Sequence, residues 1–282
     1  MKIAIIDGDS IGYTVGWVKK DLAADDIMSV ITAVDDYVDK IIVASGATHI
    51  MGFLGGVQPT FRELSGGVSQ VLETNMKGYK ESRGMGKPEW YYKTFYLITH
   101  RLRTKYGFYN VEFIEADDAV LIMAEHYRQQ KVDTVMCHCD KDLKQYPGVH
   151  YDYKKDESMY ISPDEAEYNF WIQMIMGDST DDVEGIPGLG IKKAEAFLKG
   201  TKPSAYKSHV LTLYQTKFGE RQGILRFAMS YNYLHILREP AYRFDITGLA
   251  PVPTQGLVDP TADPQQINLN EVFNTNKEDT NG

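Results

Sequence analysis

The chain has 282 residues, of which 43% are hydrophobic and 24% are charged, so it can bury the core of one large α/β domain, with or without a small helical appendage. No apolar run approaches the roughly 20 residues that a membrane-spanning helix needs, and no basic and apolar leader precedes the apolar segment 2–6. We therefore expect a cytoplasmic protein that does not interact with membranes.

The charges are unevenly distributed along the chain. The formal net charge is −9, from 39 acidic and 30 basic residues, which by itself argues against a polyanion as partner. Residues 77–105, however, hold eight basic residues and two acids, Glu81 and Glu89. We expect this basic segment to be the surface that meets a polyanion.

Apolar segments predict strands at 2–6, 49–54, 134–139 and 149–153, with helical periodicity between them. This alternation predicts an α/β fold with a mainly parallel central sheet and helices on both faces. Residues 26–44 carry the apolar stripe of a core-facing helix, and residues 162–165 predict the capped start of another that runs toward Gly177. Cys137 and Cys139 lie on one predicted buried strand, where a disulfide between them is sterically implausible. We therefore expect two free thiols in the core.

Acidic residues stand where predicted strands end. Asp7 follows the first strand, Asp140 follows the strand at 134–139, and Glu115 starts a run of acids before a predicted helix. Because ligands of parallel sheets bind beyond the carboxyl ends of the strands, we expect these acids to converge. Taken singly, each could equally be a helix cap or a turn residue. The predicted cluster comprises Asp7, Glu115, Asp117, Asp118, Asp140, Asp142, Asp178 and Asp181.

A ligand set made only of carboxylate oxygens suits Mg²⁺ or Mn²⁺. Ionised carboxylates at close range repel one another and raise each other's pKa, so such a cluster makes sense only with cations present. Two ions roughly 3.5 to 4 Å apart can clamp a phosphate, one generating hydroxide and the other stabilising the leaving oxygen. The cluster therefore predicts a two-metal hydrolase that acts on a phosphate ester.

A glycine-rich turn that ends in two lysines follows the last of these acids. Residues 185–193 predict a tight hairpin between two helices. Its backbone N–H groups can approach phosphate oxygens at the positive end of a helix without reading any base. The predicted contacts to the DNA backbone are Gly185, Gly188, Gly190, Lys192 and Lys193.

These motifs occur in the order found in the 5′-nuclease superfamily. Residues 1–240 resemble that superfamily, closest to phage 5′-to-3′ exonucleases, which are relatives of flap endonucleases and of the nuclease domain of bacterial DNA polymerase I. The motifs that carry the resemblance are Ile6-Asp7-Gly8-Asp9, Glu115-Ala116-Asp117-Asp118, Asp140-Lys141-Asp142-Leu143, Gly177-Asp178-Ser179-Thr180-Asp181-Asp182 and the hairpin 185–193.

The resemblance implies an α/β nuclease domain at 1–176 with a helical arch at about 62–105, and a helix-hairpin-helix subdomain at 177–249 that grips duplex DNA. Composition predicts an extended or disordered tail at 250–282. By the same resemblance, the first metal ion would be held by Asp7, Glu115, Asp117 and Asp118, and the second by Asp140, Asp142, Asp178 and Asp181.

Tyr79-Lys80-Glu81-Ser82-Arg83 is similar to a further motif of the family, at the base of its arch, and Phe61-Arg62 resembles a Phe-Arg pair that the family has upstream of it. The resemblance predicts that Lys80, Arg83 and Arg62 contact the scissile phosphate and stabilise developing charge, although a solvated basic face is the alternative. Tyr79 is predicted to stack on a frayed 5′ end. Of the aromatic residues at 90–96 we expect about half to belong to the core.

One family aspartate is missing after the second strand. The family normally places it near Gly55 or Gly56, where this chain has no acid. Asp9 is one candidate to substitute for it, since Asp9 and Asp7 lie on the same side of an extended segment; yet some phage relatives carry both acids. The chain could be an active variant with altered metal geometry, a weak nuclease or a sequence changed to block cleavage.

The favoured function is Mg²⁺- or Mn²⁺-dependent 5′-to-3′ exonuclease or flap-endonuclease activity on DNA, with two ions per site and K⁺ at the hairpin as a further candidate ion. We expect a monomer that acts on double-stranded DNA with 5′ ends or flaps, and on RNA–DNA hybrids when RNA primers are removed, in the host cytoplasm if the chain is phage-encoded. One alternative is a structure-specific DNA-binding protein with weak or lost catalysis. Another is a haloacid-dehalogenase-type phosphatase, suggested by Asp7-Gly8-Asp9.

Overall fold

A computed structural model describes residues 1–18, 27–65, 74, 76–84 and 88–239, without the side chains at 17, 18, 83 and 84. The tail predicted at 250–282 lies outside these residues. In the described part, the main sheet contains β1 (Lys2–Asp7), β2 (His49–Gly55), β3 (Tyr109–Val111), β4 (Asp133–His138), β5 (Gly148–Asp152) and β6 (Glu157–Ile161).

The order of the sheet is β3-β2-β1-β4-β5-β6, and neighbours are parallel except for the antiparallel pair β5 and β6. The prediction of a mainly parallel sheet is confirmed. Sequence periodicity missed β6, which pairs with β5 through a tight turn, and it did not separate the short strand β3 from the acids that follow it. Short strands of this kind carry too few residues for a period to show.

Helices cover both faces of the sheet, as predicted. On one face lie α1 (Gly8–Val18), α2 (Ile27–Ser45) and, further along the chain, α4 (Glu89–Tyr106); α3 (Phe61–Leu64) is a single turn, and α5 (Ala116–Gln129) covers the other face. Side chains alternate along a strand, so Ile3 and Ile5 of β1 join the core under α5, whereas Ala4 and Ile6 join the core under α1, α2 and α4.

A second hydrophobic core follows the sheet along the chain. It is built from α6 (Pro163–Met176), the two-stranded ribbon of β7 (Gly177–Asp178) and β8 (Val183–Glu184), and the helices α7 (Ile191–Leu198), α8 (Tyr206–Phe218) and α9 (Glu220–Leu234). The start of α6 is as predicted: Ser162 caps it by accepting a hydrogen bond from the Glu165 N–H, and Pro163 is its first residue.

Cys137 is buried and Cys139 half-buried, and both are free thiols. Among the described residues, no helix is long and apolar enough to cross a membrane. What positions the site is the parallel arrangement of β1 to β4, because the carboxyl ends of these strands meet at one edge of the sheet.

Candidate metal centre and nucleic-acid interface

Asp7 is the last residue of β1 and is buried at the start of α1. Its Oδ1 accepts hydrogen bonds from the backbone N–H groups of Asp9 (3.1 Å) and Ser10 (3.4 Å), and the Ser10 hydroxyl donates to Oδ2. Burial, the carboxylate of Asp9 and, more weakly, that of Asp140 raise the pKa of Asp7 to about 7. The strand end and the helix start therefore hold this carboxylate in one orientation.

Glu115 and Asp117 stand at the start of α5, with Glu115 as its N-cap residue. Carboxylate oxygens of Glu115, Asp117 and Asp118 all lie within 4.8 Å of one another. Burial, followed by the neighbouring charge of Asp118, raises the pKa of Asp117 well above its usual range. The beginning of this helix brings three of the predicted ligands together because residues 115, 117 and 118 lie within its first turn.

Asp118 differs from its neighbours because it is fully buried and its oxygens are already occupied. Oδ1 and Oδ2 accept from the two terminal nitrogens of Arg62 at 2.7 and 2.6 Å, and they also accept from the N–H groups of Leu237 (2.8 Å) and Glu115 (3.0 Å). Although its oxygens lie close to those of Glu115 and Asp117, this saturation leaves little capacity for a metal ion. Asp118 holds the start of α5 in place in this structure.

Arg62 is accordingly placed where the sequence did not predict it. Its side chain is 1% exposed, and beyond Asp118 it donates to Glu115 Oε2 (3.1 Å) and to the carbonyl oxygen of His235 (2.8 Å). Arg62 also lines the acidic cavity, and its contact with a scissile phosphate stays a prediction. Sequence spacing does not reveal that Arg62 pairs with Asp118, a buried carboxylate that needs a cation beside it.

The second group of acids surrounds the loop after β4 and the end of α6. Asp140 Oδ1 accepts from the N–H of Asp142 (2.8 Å), and Asp178 Oδ1 accepts from the N–H of Thr180 (2.8 Å). Burial and the charge of Asp140 raise the pKa of Asp142 to about 7. Burial also acts to raise the pKa of Asp178, but Lys141, whose Nζ lies 2.5 Å from Oδ2, brings it below the usual range.

Both groups face one cavity of about 610 Å³. Seven of the eight predicted carboxylates line it, Asp118 being the exception, and Asp9 lines it as well. The structure thus brings together acids from four separate segments of the chain. The cavity-lining acids are Asp7, Asp9, Glu115, Asp117, Asp140, Asp142, Asp178 and Asp181.

The donor set fits a hard divalent cation. Every acid in the cavity offers oxygen ligands, and burial together with mutual repulsion raises the pKa of Asp7, Asp117, Asp140 and Asp142. Cationic charge beside such groups relieves both effects, and Lys80 and Lys141 already supply part of it through ion pairs with Glu115 and Asp178. Which of the carboxylates ligate a metal ion stays a prediction.

Tyr79 joins the two groups of acids. Its hydroxyl lies 2.8 Å from Glu115 Oε2 and 3.0 Å from Asp181 Oδ2, and its ring packs on that of Tyr233 with centroids 5.5 Å apart. The residue is 6% exposed. The ring is covered and the hydroxyl is directed at the cavity, and the stacking of Tyr79 on a 5′ end stays a prediction.

Lys80 lines the cavity, and its contact with a scissile phosphate stays a prediction. It adopts a positive φ of 56°, which is unusual for a residue with a side chain, and its backbone N–H donates to the carbonyl oxygen of Asp181 at 2.9 Å. Its ammonium group pairs with Glu115. Arg83 lies in the turn Glu81–Gly84, but its side chain is outside the described part of the structure.

Much of the basic segment 77–105 is paired with acids from elsewhere in the chain. Arg101 and Lys105 both pair with Asp35 of α2, at 2.7 and 2.9 Å, and Lys77 pairs with Asp182 at 3.6 Å. A window along the sequence misses these partners because they are distant in the chain. The surface that this segment offers to a polyanion is consequently smaller than its composition predicts.

The turn at 185–193 leads from β8 into α7. Gly188 has a φ of +83°, which glycine tolerates without strain, and Gly190 is the N-cap of α7. Open space surrounds the positions where these two glycines would carry a Cβ. Lys192 and Lys193 are exposed in the first turn of α7, and Lys193 Nζ donates to the carbonyl oxygen of Gly188 at 2.8 Å. A polyanion can thus approach this backbone closely.

Sequence reasoning missed two polar residues of the cavity region. Lys141 pairs with Asp178, and Gln173 of α6 donates to Asp142 Oδ1 at 2.8 Å and lies 3.3 Å from Asp178 Oδ2. Lys141 lies between Asp140 and Asp142 in the sequence, and this position could have indicated that it belongs to the site. No sequence pattern indicates Gln173, because only the packing of α6 against the loop after β4 brings it to the acids.

Comparison with known proteins identifies relatives at low sequence identity. No protein-family model matches the chain. DNA polymerase I of Bacillus caldotenax is 26% identical over 214 residues, 70% of this chain and 23% of that protein. DNA polymerase I of Rhizobium leguminosarum is 38% identical over 100 residues, 31% of this chain and 10% of that protein. The chain spans less than a quarter of the length of these curated relatives.

Solved structures match over more of the chain. T5 5′-exonuclease with bound zinc ions superposes with a TM-score of 0.58 at 15% identity, covering 82% of this chain and 91% of that one. The flap endonuclease of bacteriophage T5, in a complex with DNA and metal ions, gives 0.53 at 13% identity, covering 82% and 99%. The chain has the fold of these two nucleases. The resemblance predicted from its motifs is confirmed.

Proposed function

We propose that this chain is a divalent-metal-dependent 5′ nuclease that hydrolyses DNA phosphodiesters as a 5′-to-3′ exonuclease or flap endonuclease. The observation that carries the proposal is the single cavity lined by acids from four segments of the chain, with a glycine turn and exposed lysines following the last of them. Removal of flaps or RNA primers in phage-type replication is the biological use that we propose for it.

Mg²⁺ or Mn²⁺, when bound by these acids, would supply hydroxide and stabilise the leaving oxygen of a phosphodiester. The chain's own groups prepare the site for this. Asp7, Asp140 and Asp178 are fixed by backbone N–H donors, and Arg62 fixes Asp118 at the start of α5. Lys80 lies at the cavity edge, where its ammonium can exchange Glu115 for a phosphate oxygen, so we keep Lys80 as the phosphate contact and assign Arg62 a positioning role.

Binding of duplex DNA is assigned to the turn 185–193. Gly185, Gly188 and Gly190 would offer backbone N–H groups, and Lys192 and Lys193 would add positive charge at the start of α7. Contacts of this kind reach phosphates and carry no base specificity, which suits cleavage by position along a strand. We propose K⁺ as a further ion at this turn, and Arg83 as a second phosphate contact.

One experiment tests the proposed activity directly. A 5′-flap duplex labelled at its 5′ end should give a metal-dependent product ladder with Mg²⁺ and with Mn²⁺, and none with EDTA. Asp178→Asn should lower the cleavage rate by on the order of 10- to 100-fold or more while changing DNA affinity little, because it removes a candidate ligand and no DNA contact. Asp133→Asn is a matched control, since Asp133 is exposed at the opposite end of the strands.

The outcome separates two functions. Tight binding of the flap duplex without cleavage in either metal would establish a structure-specific DNA-binding protein instead, the alternative that Gly55 keeps open. Equal losses of affinity and rate in Asp178→Asn would contradict the division between a cutting site and a gripping site. If Asp178→Asn gives the same product ladder at the same rate as the natural chain, Asp178 is not part of the cleavage site.

A further inference from the structure

The strand β2 reaches the acidic edge of the sheet without an acid of its own. β1 ends at Asp7, the loop after β4 brings Asp140, and the segment after β3 brings Glu115, whereas β2 ends at Gly55 and is followed by Gly56. A carboxylate nevertheless lies at that point. The backbone N–H of Gly55 is 3.1 Å from Oδ1 and 3.2 Å from Oδ2 of Asp9.

Asp9 does not have the usual task of an acid in the first turn of a helix. Such an acid commonly accepts from the free N–H groups of its own helix, but in α1 the N–H groups of Asp9 and Ser10 are taken by Asp7. The Asp9 carboxylate reaches instead across 46 residues to Gly55. A carboxylate offers about four lone-pair positions, and one shared N–H leaves about two of them free on the side of the cavity that Asp9 lines.

Gly55 is matched to this arrangement. A Cβ at position 55 would stand 2.8 Å from Asp9 Oδ2, closer than a real Cβ tolerates, so any side chain there would have to displace the Asp9 carboxylate. The carboxylate of Asp9 therefore occupies the space that a side chain on the end of β2 would fill. The position of the Asp9 carboxylate therefore depends on glycine at position 55.

We propose that Asp9 is a ligand of the divalent metal ion that Asp7, Glu115 and Asp117 face, supplied from α1 in the place of an acid on β2. The proposal rests on the proposed nuclease site, since it concerns the same cavity. The absence of an acid at Gly55 then does not leave the first metal group a ligand short. It follows that an acid added at position 55 of the natural chain would displace the Asp9 carboxylate and would not improve metal binding.

Isothermal titration of the full chain with Mn²⁺ alone, without DNA, tests this role. Asp9→Asn keeps the size of the side chain and an oxygen for the Gly55 N–H but removes the negative charge. We expect Mn²⁺ affinity to fall by on the order of 10- to 100-fold. The matched control is Asp39→Asn, which removes the same charge from an exposed position on α2 and should bind Mn²⁺ like the natural chain. Equal affinity in Asp9→Asn and Asp39→Asn overturns the proposal.

An exchange of positions gives a second, independent readout. Asp9→Ala should bind Mn²⁺ weakly, and adding Gly55→Asp to it should recover a large part of the lost affinity, because both positions address the same point. Gly55→Asp alone should bind Mn²⁺ no more tightly than the natural chain. A double variant as weak as Asp9→Ala contradicts the exchange. Circular dichroism of each variant confirms that the comparison is between folded chains.

These measurements separate the inference from the proposed function. If the natural chain binds Mn²⁺ and loses that affinity in Asp9→Asn but cuts no flap substrate, the ligand assignment stands and the nuclease proposal fails. If the natural chain cuts the substrate and Asp9→Asn still binds Mn²⁺ normally, the nuclease proposal stands and Asp9 is excluded as a ligand. Absence of Mn²⁺ binding by the natural chain contradicts the assignment of Asp9.

Discussion

The pair formed by Arg62 and Asp118 shows how one buried contact supports the acidic site. Two parallel hydrogen bonds of 2.6 and 2.7 Å join the guanidinium to a carboxylate that is fully buried, and Leu237 and Glu115 complete the set of donors to it. Burial of two charges is tolerated only when each satisfies the other. Arg62 thereby holds the first turn of α5, and with it Glu115, toward the cavity.

Replacement of Arg62 should therefore cost stability. Arg62→Met keeps most of the apolar stem but leaves Asp118 buried without its cation, which we expect to lower the free energy of unfolding by about 3–5 kcal/mol. Urea denaturation followed by circular dichroism measures it. Lys93→Met is the control, because Lys93 pairs with Glu89 in an exposed, solvent-screened contact. A loss as small as in the control would show that Arg62 is not required for the fold.

At the scale of single elements, the start of α7 is the clearest candidate for gripping a polyanion. Gly188 and Gly190 leave the backbone open, and the lysines of the first turn stand at the positive end of the helix. Basic residues of other elements have a different role. Arg101 and Lys105 of α4 form ion pairs with Asp35 of α2, so their charges are paired within the protein and join the two helices. Charge along the chain is thus a weak guide to a binding surface unless its partners are known.

Removal of the α7 charges should weaken DNA binding in a characteristic way. For Lys192→Ala with Lys193→Ala we expect lower affinity for duplex DNA and a plot of log affinity against log salt that is flatter by roughly 2, since each lost phosphate contact releases about one counterion fewer. Fluorescence anisotropy between low and moderate salt measures both. Lys154→Ala with Lys155→Ala, on the exposed turn between β5 and β6, removes the same charge and should leave the slope unchanged. Parallel slopes in all three proteins would exclude α7 as the contact.

At the scale of the whole molecule, the acids of one cavity work against the folded state. Their raised pKa values at Asp7 and Asp142, both about 7, record the cost of burying several negative charges together. A cation that binds the folded chain and not the unfolded one offsets this cost. Folding stability and metal occupancy are therefore coupled through the cavity.

Divalent metal should consequently stabilise the fold. With Mn²⁺ at about 100 times its dissociation constant, the expected gain is about 2.7 kcal/mol, which for a chain of this size raises the midpoint of thermal unfolding by several degrees. Differential scanning calorimetry with Mn²⁺ and with EDTA measures the shift. Asp140→Asn should show a smaller shift than Asp133→Asn, whose altered residue is exposed at the opposite end of β4. Identical midpoints with Mn²⁺ and EDTA would contradict metal binding by the folded chain.

Most strands, several helices and the position of the acidic cavity can be predicted from the amino-acid sequence, because the patterns that indicate them are local. The period of apolar residues predicted four of the six strands of the main sheet and the helix at 26–44, and a capping box at 162–165 predicted the start of another helix. Acids at strand ends predicted which edge of the sheet carries the cavity. These patterns depend on residues that are only a few positions apart in the sequence.

Tertiary structure alone decided which partners the individual charged and polar side chains have. Arg62 is buried against Asp118, Tyr79 bridges Glu115 and Asp181, and Asp9 fills the space beside Gly55. Each of these contacts joins residues 36 to 102 positions apart, and only the packing of the whole chain brings such residues within hydrogen-bond distance.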